Sequence, residues 1–305
     1  MRSGGRATVP GPVFGAIIVA VLVATGSTGA AEPVVVELWP GGTPEPPAAT
    51  IGPEKEVVRE PADGIMRLTN VTRPMITVFR PETPCGTAVI VCPGGGYGIL
   101  AYEHEGTKVC DFLVKHGVTA ILLKYRVPAE PRLPLQDAQR AVGIVRRRAV
   151  EWGLREDRIG ILGFSAGGHL SIMTALHGNE RTYERDAALE AEDAVPNFVI
   201  PIYPAYLTKK GTDAPLLPEI AITKKSPPMC LVHATDDPWT AAASALVYLE
   251  YKKLGIPCEL HVYAKGGHGF GMKPGSLPAN RWPERVIEWM AAADLAPRPT
   301  DSAAP

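Results

Sequence analysis

The segment Arg158-Ile159-Gly160-Ile161-Leu162-Gly163-Phe164-Ser165-Ala166-Gly167-Gly168-His169-Leu170 constrains this chain more than any other. Ile159 to Leu162 is a short apolar, β-branched run of the kind that forms a buried parallel strand, and Ala166 through Leu176 is Ala- and Leu-rich with helical spacing. Gly163-Phe164-Ser165-Ala166-Gly167 therefore sits at a strand-to-helix turn. So tight a bend forces the serine into a strained backbone conformation, and glycines two residues to either side leave room for strand and helix to approach. The turn lifts the Ser165 hydroxyl clear of the backbone. It also aims the helix N-terminus, with its free N–H groups and positive dipole end, at any anion formed beside it. Ser165 is the candidate nucleophile, with a purely structural turn as the plain alternative.

Around this unit, strands alternate with helices. Pro33 to Leu38, the stretch from Leu68 and Val71 to Met75–Phe79, Thr87 to Cys92, Thr119 to Lys124, Phe198 to Tyr203, Met229 to Ala234 and Glu259 to Tyr263 read as strands. Gly106 to His116, Leu135 to Trp152, Thr240 to Leu254 and Trp282 to Ala293 carry helical patterns. This order specifies an α/β protein whose mostly parallel central sheet is covered by helices on both faces, with an antiparallel start. On the helix from Leu135 the apolar stripe faces the sheet, and Arg146, Arg147 and Arg148 are expected on the solvated side.

A chain of 305 residues with 46% hydrophobic content can bury one full core, and a formal net charge of −1 gives no electrostatic footprint for nucleic acid. Arg2 and Arg6, an apolar run from Val13 to Ala24 and the small residues ending at Ala31 have the order of a secretory signal peptide. The expected organisation is a leader over 1–31, one domain over 32–296 and a disordered tail over 297–305. The protein is then secreted or periplasmic, and the apolar run is too short for stable membrane association. Cys85, Cys92, Cys110, Cys230 and Cys258 permit a disulfide and leave at least one odd thiol, and their spacings fit no metal pattern.

A serine hydroxyl becomes nucleophilic when a histidine takes its proton and a carboxylate orients that histidine. After the strand ending at Ala234 the chain reads Thr235-Asp236-Asp237-Pro238-Trp239, and Asp237 is favoured over Asp236 as the acid by its distance from Ala234. Asp236 then caps the following helix or turn. Lys265-Gly266-Gly267-His268-Gly269 follows the last strand, and its glycines let His268 fold back over the elbow. Gly94-Gly95-Gly96, after a central strand, offers backbone amides for an oxyanion. One donor is assigned to Gly95 or Gly96 and one to Ala166. A phosphate loop is excluded, because there is neither a Walker lysine nor the dinucleotide glycine spacing, and no cofactor is expected. Tyr97 and Tyr206 are candidates to line a substrate pocket or to pack. His104 and Glu105 either touch substrate or tether the oxyanion loop, with His104 the candidate contact. His169 and His177 lack acidic partners at ligand spacing, so no metal is expected. Thr208 to Pro228 falls where a pocket mouth can be shaped.

Pro93-Gly94-Gly95-Gly96-Tyr97, His104-Glu105-Gly106, Leu123-Lys124-Tyr125-Arg126, Asp137-Ala138-Gln139-Arg140, the Ser165 segment and Gly266-Gly267-His268-Gly269 together resemble α/β-hydrolases of the esterase/lipase type. Within that group the likeness is to exported bacterial acetylxylan and feruloyl esterases, from about Val34 to the last helix. The resemblance implies the α/β-hydrolase fold and hydrolysis of an ester substrate through an acyl-enzyme. It also implies acetylated or feruloylated plant polysaccharide or oligosaccharide as that substrate. Two departures stand out: Pro93 where many related lipases carry histidine, and Pro238-Trp239 where relatives often have Val-Pro. A serine exopeptidase and a non-catalytic carbohydrate-binding protein of the same fold are the alternatives.

Overall fold

The computed structural model describes residues 32–298, apart from 47, 58–63, 210–211 and 213–214. The expected leader over 1–31 lies outside the described residues, as does the tail beyond 298. The described residues hold ten strands: β1 (Val34–Glu37), β2 (Lys55–Glu56), β3 (Leu68–Thr69), β4 (Met75–Phe79), β5 (Ala88–Cys92), β6 (Thr119–Lys124), β7 (Ile159–Phe164), β8 (Phe198–Ile202), β9 (Met229–Ala234) and β10 (Cys258–Tyr263). The helices are α1 (Lys108–Lys115), α2 (Arg132–Arg147), α3 (Ala166–His177), α4 (Ala241–Leu254) and α5 (Trp282–Ala292).

Eight strands form one sheet in the order β1-β4-β6-β5-β7-β8-β9-β10, and β2 pairs with β3 separately. β4 runs antiparallel to both β1 and β6, and every pairing from β6 to β10 is parallel. Parallel strands bury both faces, which is why β5, β7 and β8 carry no polar side chain and β9 only that of His233, all four buried along their whole length. On β5 the pleat sends Ala88, Ile90 and Cys92 into the layer shared with α2, α3 and α4. Val89 and Val91 enter the layer shared with α1 and α5. Each buried valine or isoleucine here contributes about 1.5–3 kcal/mol, so the central strands are the rigid base on which the loops at their C-terminal ends stand.

Two expectations need correction. α2 starts at Arg132, three residues earlier than the pattern suggests, because Pro134 sits in the first turn, where its missing N–H costs nothing. It stops at Arg147, and the chain to Trp152 continues in turns. The arginine run is not a uniformly solvated face either. Arg146 is buried and its guanidinium donates to the carbonyls of Asp193 and Val195 and to Asn197, clamping the loop before β8. All five cysteines are free thiols, with Cys92, Cys110 and Cys230 buried in the core. Among the described residues, no helix is long and apolar enough to cross a membrane.

Candidate active site

Strand β7 and helix α3 meet at Ser165, whose φ of 52° and ψ of −116° are forced by the shortness of the turn. A Cβ on Gly163 would lie 2.0 Å from the carbonyl oxygen of Gly167, and one on Gly167 would lie 2.1 Å from that of Cys92. Neither position can carry a side chain without separating the helix from β5 and β7. The conformation is strained for a serine, and it is held because the Ser165 amide donates to Ile202 and its carbonyl accepts from His169 and Ala205. Its hydroxyl is left at the sheet edge.

The loops after β9 and β10 bring the other two groups to it. His268 Nε2 lies 2.7 Å from Ser165 Oγ, and His268 Nδ1 lies 2.7 Å from Asp237 Oδ2. The three residues are separated by up to 103 positions in the chain. Asp237 is buried, and burial by itself would raise its carboxyl. The contacts from His233 and His268 and the Trp239 amide outweigh that and hold it at about 2. Sequence reasoning missed His233. It is fully buried on β9, its Nε2 lies 3.3 Å from Asp237 Oδ2 and its Nδ1 bonds Ser244. The signal was available in its spacing, four residues before the acid at the end of the same strand.

Asp236 neither reaches His268 nor caps α4, whose N-cap is Thr240. Instead it accepts the amides of Gly266 and Gly267 at 3.0 and 2.8 Å, pinning the loop that carries the histidine.

On the other side of Ser165, Gly94 donates its N–H to Glu105 at 2.8 Å. Among the described residues, the amides of Gly95, Gly96 and Ala166 have no intramolecular acceptor. Gly95 adopts φ 137°, and a Cβ there would meet the Ile99 carbonyl oxygen at 2.1 Å, so the loop can be built only on glycine. Loop and helix end thus frame a position where negative charge on an oxygen bonded to Ser165 would be met by N–H donors.

Beside the elbow lies a cavity of about 420 Å³ lined by Gly96, Tyr97, Ala129, Pro131, His169, Met173, Tyr206, Leu217 and Glu219. Tyr97 and Tyr206 are both in its wall, stacked with ring centroids 6.0 Å apart. Tyr206 in turn meets Trp239 edge-on at 4.7 Å. Leu217 and Glu219 come from the segment 208–228, which therefore does shape the pocket. The expectation for His104 needs correction. It is buried, its carbonyl accepts from Met272, and it packs under the loop that follows His268 rather than in the cavity wall. Of the other groups of ligand type, Cys230, Glu259 and His261 have ligand atoms within 4.8 Å of one another, and they sit on β9 and β10 outside this site.

His169 also lines the cavity, and Tyr97 Oη lies 2.7 Å from its Nδ1. Burial pushes its imidazole down to about 4, so at neutral pH Nδ1 is an acceptor and the tyrosine donates. The folded value is depressed. The stability gained from the neutral ring is therefore complete above the ordinary histidine value of about 6.5 and is lost as pH falls toward 4. Urea unfolding at pH 7.5 and 4.5 should show a loss of about 2–3 kcal/mol that His169→Asn, which keeps an acceptor in place of Nδ1, largely removes. An equal loss in both proteins would rule His169 out as its source.

Residues 78–206 match the BD-FAE family model. The acetylxylan esterase of Xylanibacter ruminicola is 30% identical over 230 residues, which are 68% of this chain and 45% of that one. Endo-1,4-beta-xylanase B of Butyrivibrio fibrisolvens is 28% identical over 207 residues, 59% of this chain and 32% of that one. The chain thus spans less than half the length of these curated relatives. Among solved structures, an acetyl ester-xyloside bifunctional hydrolase from Caldicellulosiruptor lactoaceticus superposes with a TM-score of 0.68 at 26% identity, covering 88% of this chain and 99% of that one.

Proposed function

We propose that this chain, whose fold is that of the α/β-hydrolases, is a serine carboxylic-ester hydrolase working through an acyl-enzyme. The observation that carries the reading is the pair of 2.7 Å contacts of His268, one to Ser165 and one to Asp237. Ser165 Oγ attacks the ester carbonyl as His268 Nε2 takes its proton. Asp237, ionised, fixes the proton on His268 Nδ1 and stabilises the imidazolium that forms. The tetrahedral oxyanion is held by the amides of Ala166 and of Gly95 or Gly96, each worth a few kcal/mol of barrier. Collapse expels the alcohol, which receives the proton from His268. Water then enters by the same route in reverse, releasing the acid and restoring Ser165.

The substrate we assign is an acetylated or feruloylated plant polysaccharide or its oligosaccharides. Support comes from the relatives, one an acetylxylan esterase and one a xylanase. It comes also from the Tyr97 and Tyr206 rings in the cavity wall, whose flat faces suit a sugar ring or an aromatic acyl group. Export through the leader over 1–31 would deliver the protein to such a polymer.

A panel of acetylated xylan, methyl ferulate, p-nitrophenyl acetate and an aminoacyl anilide tests the assignment. Acetate or ferulate release at least 100-fold faster than anilide cleavage is the expected result. Anilide turnover with inert esters would replace it with a peptidase.

A further inference from the structure

The motif His104-Glu105-Gly106 has no part in the chemistry just described, yet Glu105 is 3% exposed, a carboxylate placed almost entirely out of water. Burying such a group costs several kcal/mol unless each oxygen is satisfied, and both are. Oε2 accepts the Gly94 amide at 2.8 Å, and Oε1 accepts the Tyr203 hydroxyl at 2.8 Å. The tyrosine oxygen in turn accepts the amide of Gly271 at 2.9 Å, three residues beyond His268. Because the hydroxyl already accepts from Gly271, its proton is free to point at Glu105, so each donor in the chain has one acceptor.

Local structure explains how a glutamate reaches this spot. Glu103–Thr107 forms one π-helical turn directly before α1, and this wider turn carries Glu105 inward beneath the glycine loop. The neighbouring His104 carbonyl takes the Met272 amide at 2.8 Å, and Trp282 Nε1 donates to the Gly271 carbonyl at 2.9 Å. The loop bearing the histidine is thereby tied down on both sides of the link to Glu105. Burial raises the Glu105 carboxyl above its ordinary value, and the hydrogen bonds from Tyr203 and Gly94 work against that rise.

We propose that Glu105 is a positioning residue that sets the oxyanion loop and the loop of the general base in one register through a single buried carboxylate. The inference rests on the ester-hydrolase reading above. Its physical content is that Gly94, once fixed, orients the amides of Gly95 and Gly96, and that Gly271, once fixed, orients His268. Errors in either matter mainly when charge develops, in the transition state, and little when substrate merely binds.

The test compares wild type, Glu105→Gln, Tyr203→Phe and the double variant on p-nitrophenyl acetate, with active sites counted by complete fluorophosphonate labelling so that misfolded molecules drop out. Glutamine can accept from Gly94 but must turn its NH₂ toward Tyr203, leaving the hydroxyl proton without a partner. Turnover per labelled site should fall about 100-fold in Glu105→Gln and about 10-fold in Tyr203→Phe, with KM within about threefold of wild type. The double variant should be no slower than Glu105→Gln, since both changes cut one bridge. Unchanged turnover per site, a KM effect alone, or multiplicative losses would overturn the proposal. Where Glu105→Gln yields no folded protein, Tyr203→Phe decides alone by the same split. A wild type that neither labels nor hydrolyses the ester would strike down the esterase reading and this inference with it. An active wild type with unaffected variants would strike down only the inference.

Discussion

Ser165→Ala is expected to lower ester turnover by about a million-fold and to abolish fluorophosphonate labelling, while leaving the fold in place. The magnitude follows from the role. Without Oγ no acyl-enzyme forms, and what remains is hydrolysis by water in a site whose N–H donors still favour the oxyanion. The fold survives because Ser165 is held by its backbone, through Ile202, Ala205 and His169, while its hydroxyl, among the described residues, bonds only His268. Ser165→Gly supplies the control. Its φ of 52° penalises any side chain, so glycine should be equally inactive yet melt a few degrees higher. Residual turnover within about a hundredfold of wild type in either variant, measured on protein purified away from host esterases, would remove Ser165 from the role of nucleophile.

The second large effect belongs to Asp237→Asn, expected to cost about 10⁴-fold in kcat with the structure intact. An asparagine NH₂ facing His268 Nδ1 selects the tautomer whose proton sits on Nε2, where Ser165 needs an acceptor. The same change also loses the charge that faces both His268 and His233. Because the Asp237 carboxyl is held at about 2, below the ordinary aspartate value, its stabilising effect is complete above about pH 4 and fades only as pH drops through 2. No acid limb in the working range should therefore come from it. Asp236→Asn is the informative partner. It touches two loop amides and not the imidazole, so a loss of about tenfold or less is expected. If Asp236→Asn proved the more damaging of the two, the acid would have to be reassigned to Asp236.

What could be read in advance was whatever depends on near neighbours in the chain. β6 and β9 fall on their expected bounds because each is built on an apolar run, 120–123 and 229–232, of the kind that a strand buried on both faces requires. The serine turn is legible because two glycines four positions apart with a serine midway between them have little else to do. Asp237 and His268 follow from their place just after strand ends. What escaped depends on contacts between remote segments. Glu105 meets Tyr203 across 98 positions, and Arg146 reaches Asn197 across 51. No local pattern distinguishes a glutamate that will be sealed under a glycine loop from one that will face water. His104 differs from its expectation as a substrate contact for the same reason. A histidine beside the oxyanion loop in sequence lies beneath it in space, because the π-helical turn rotates it toward Gly271. The role of Asp236 was hidden likewise, since its partners are amides 30 and 31 residues away.

The half-buried position of Trp239, between Tyr206 and His268, has an optical consequence. The other four tryptophans, Trp39, Trp152, Trp282 and Trp289, are at most 9% exposed. Emission from Trp239 is thus the part of the intrinsic fluorescence open to a dissolved quencher, and it comes from a ring packed edge-on against Tyr206 of the cavity wall. The molecule carries its own label-free indicator of whether that cavity is filled.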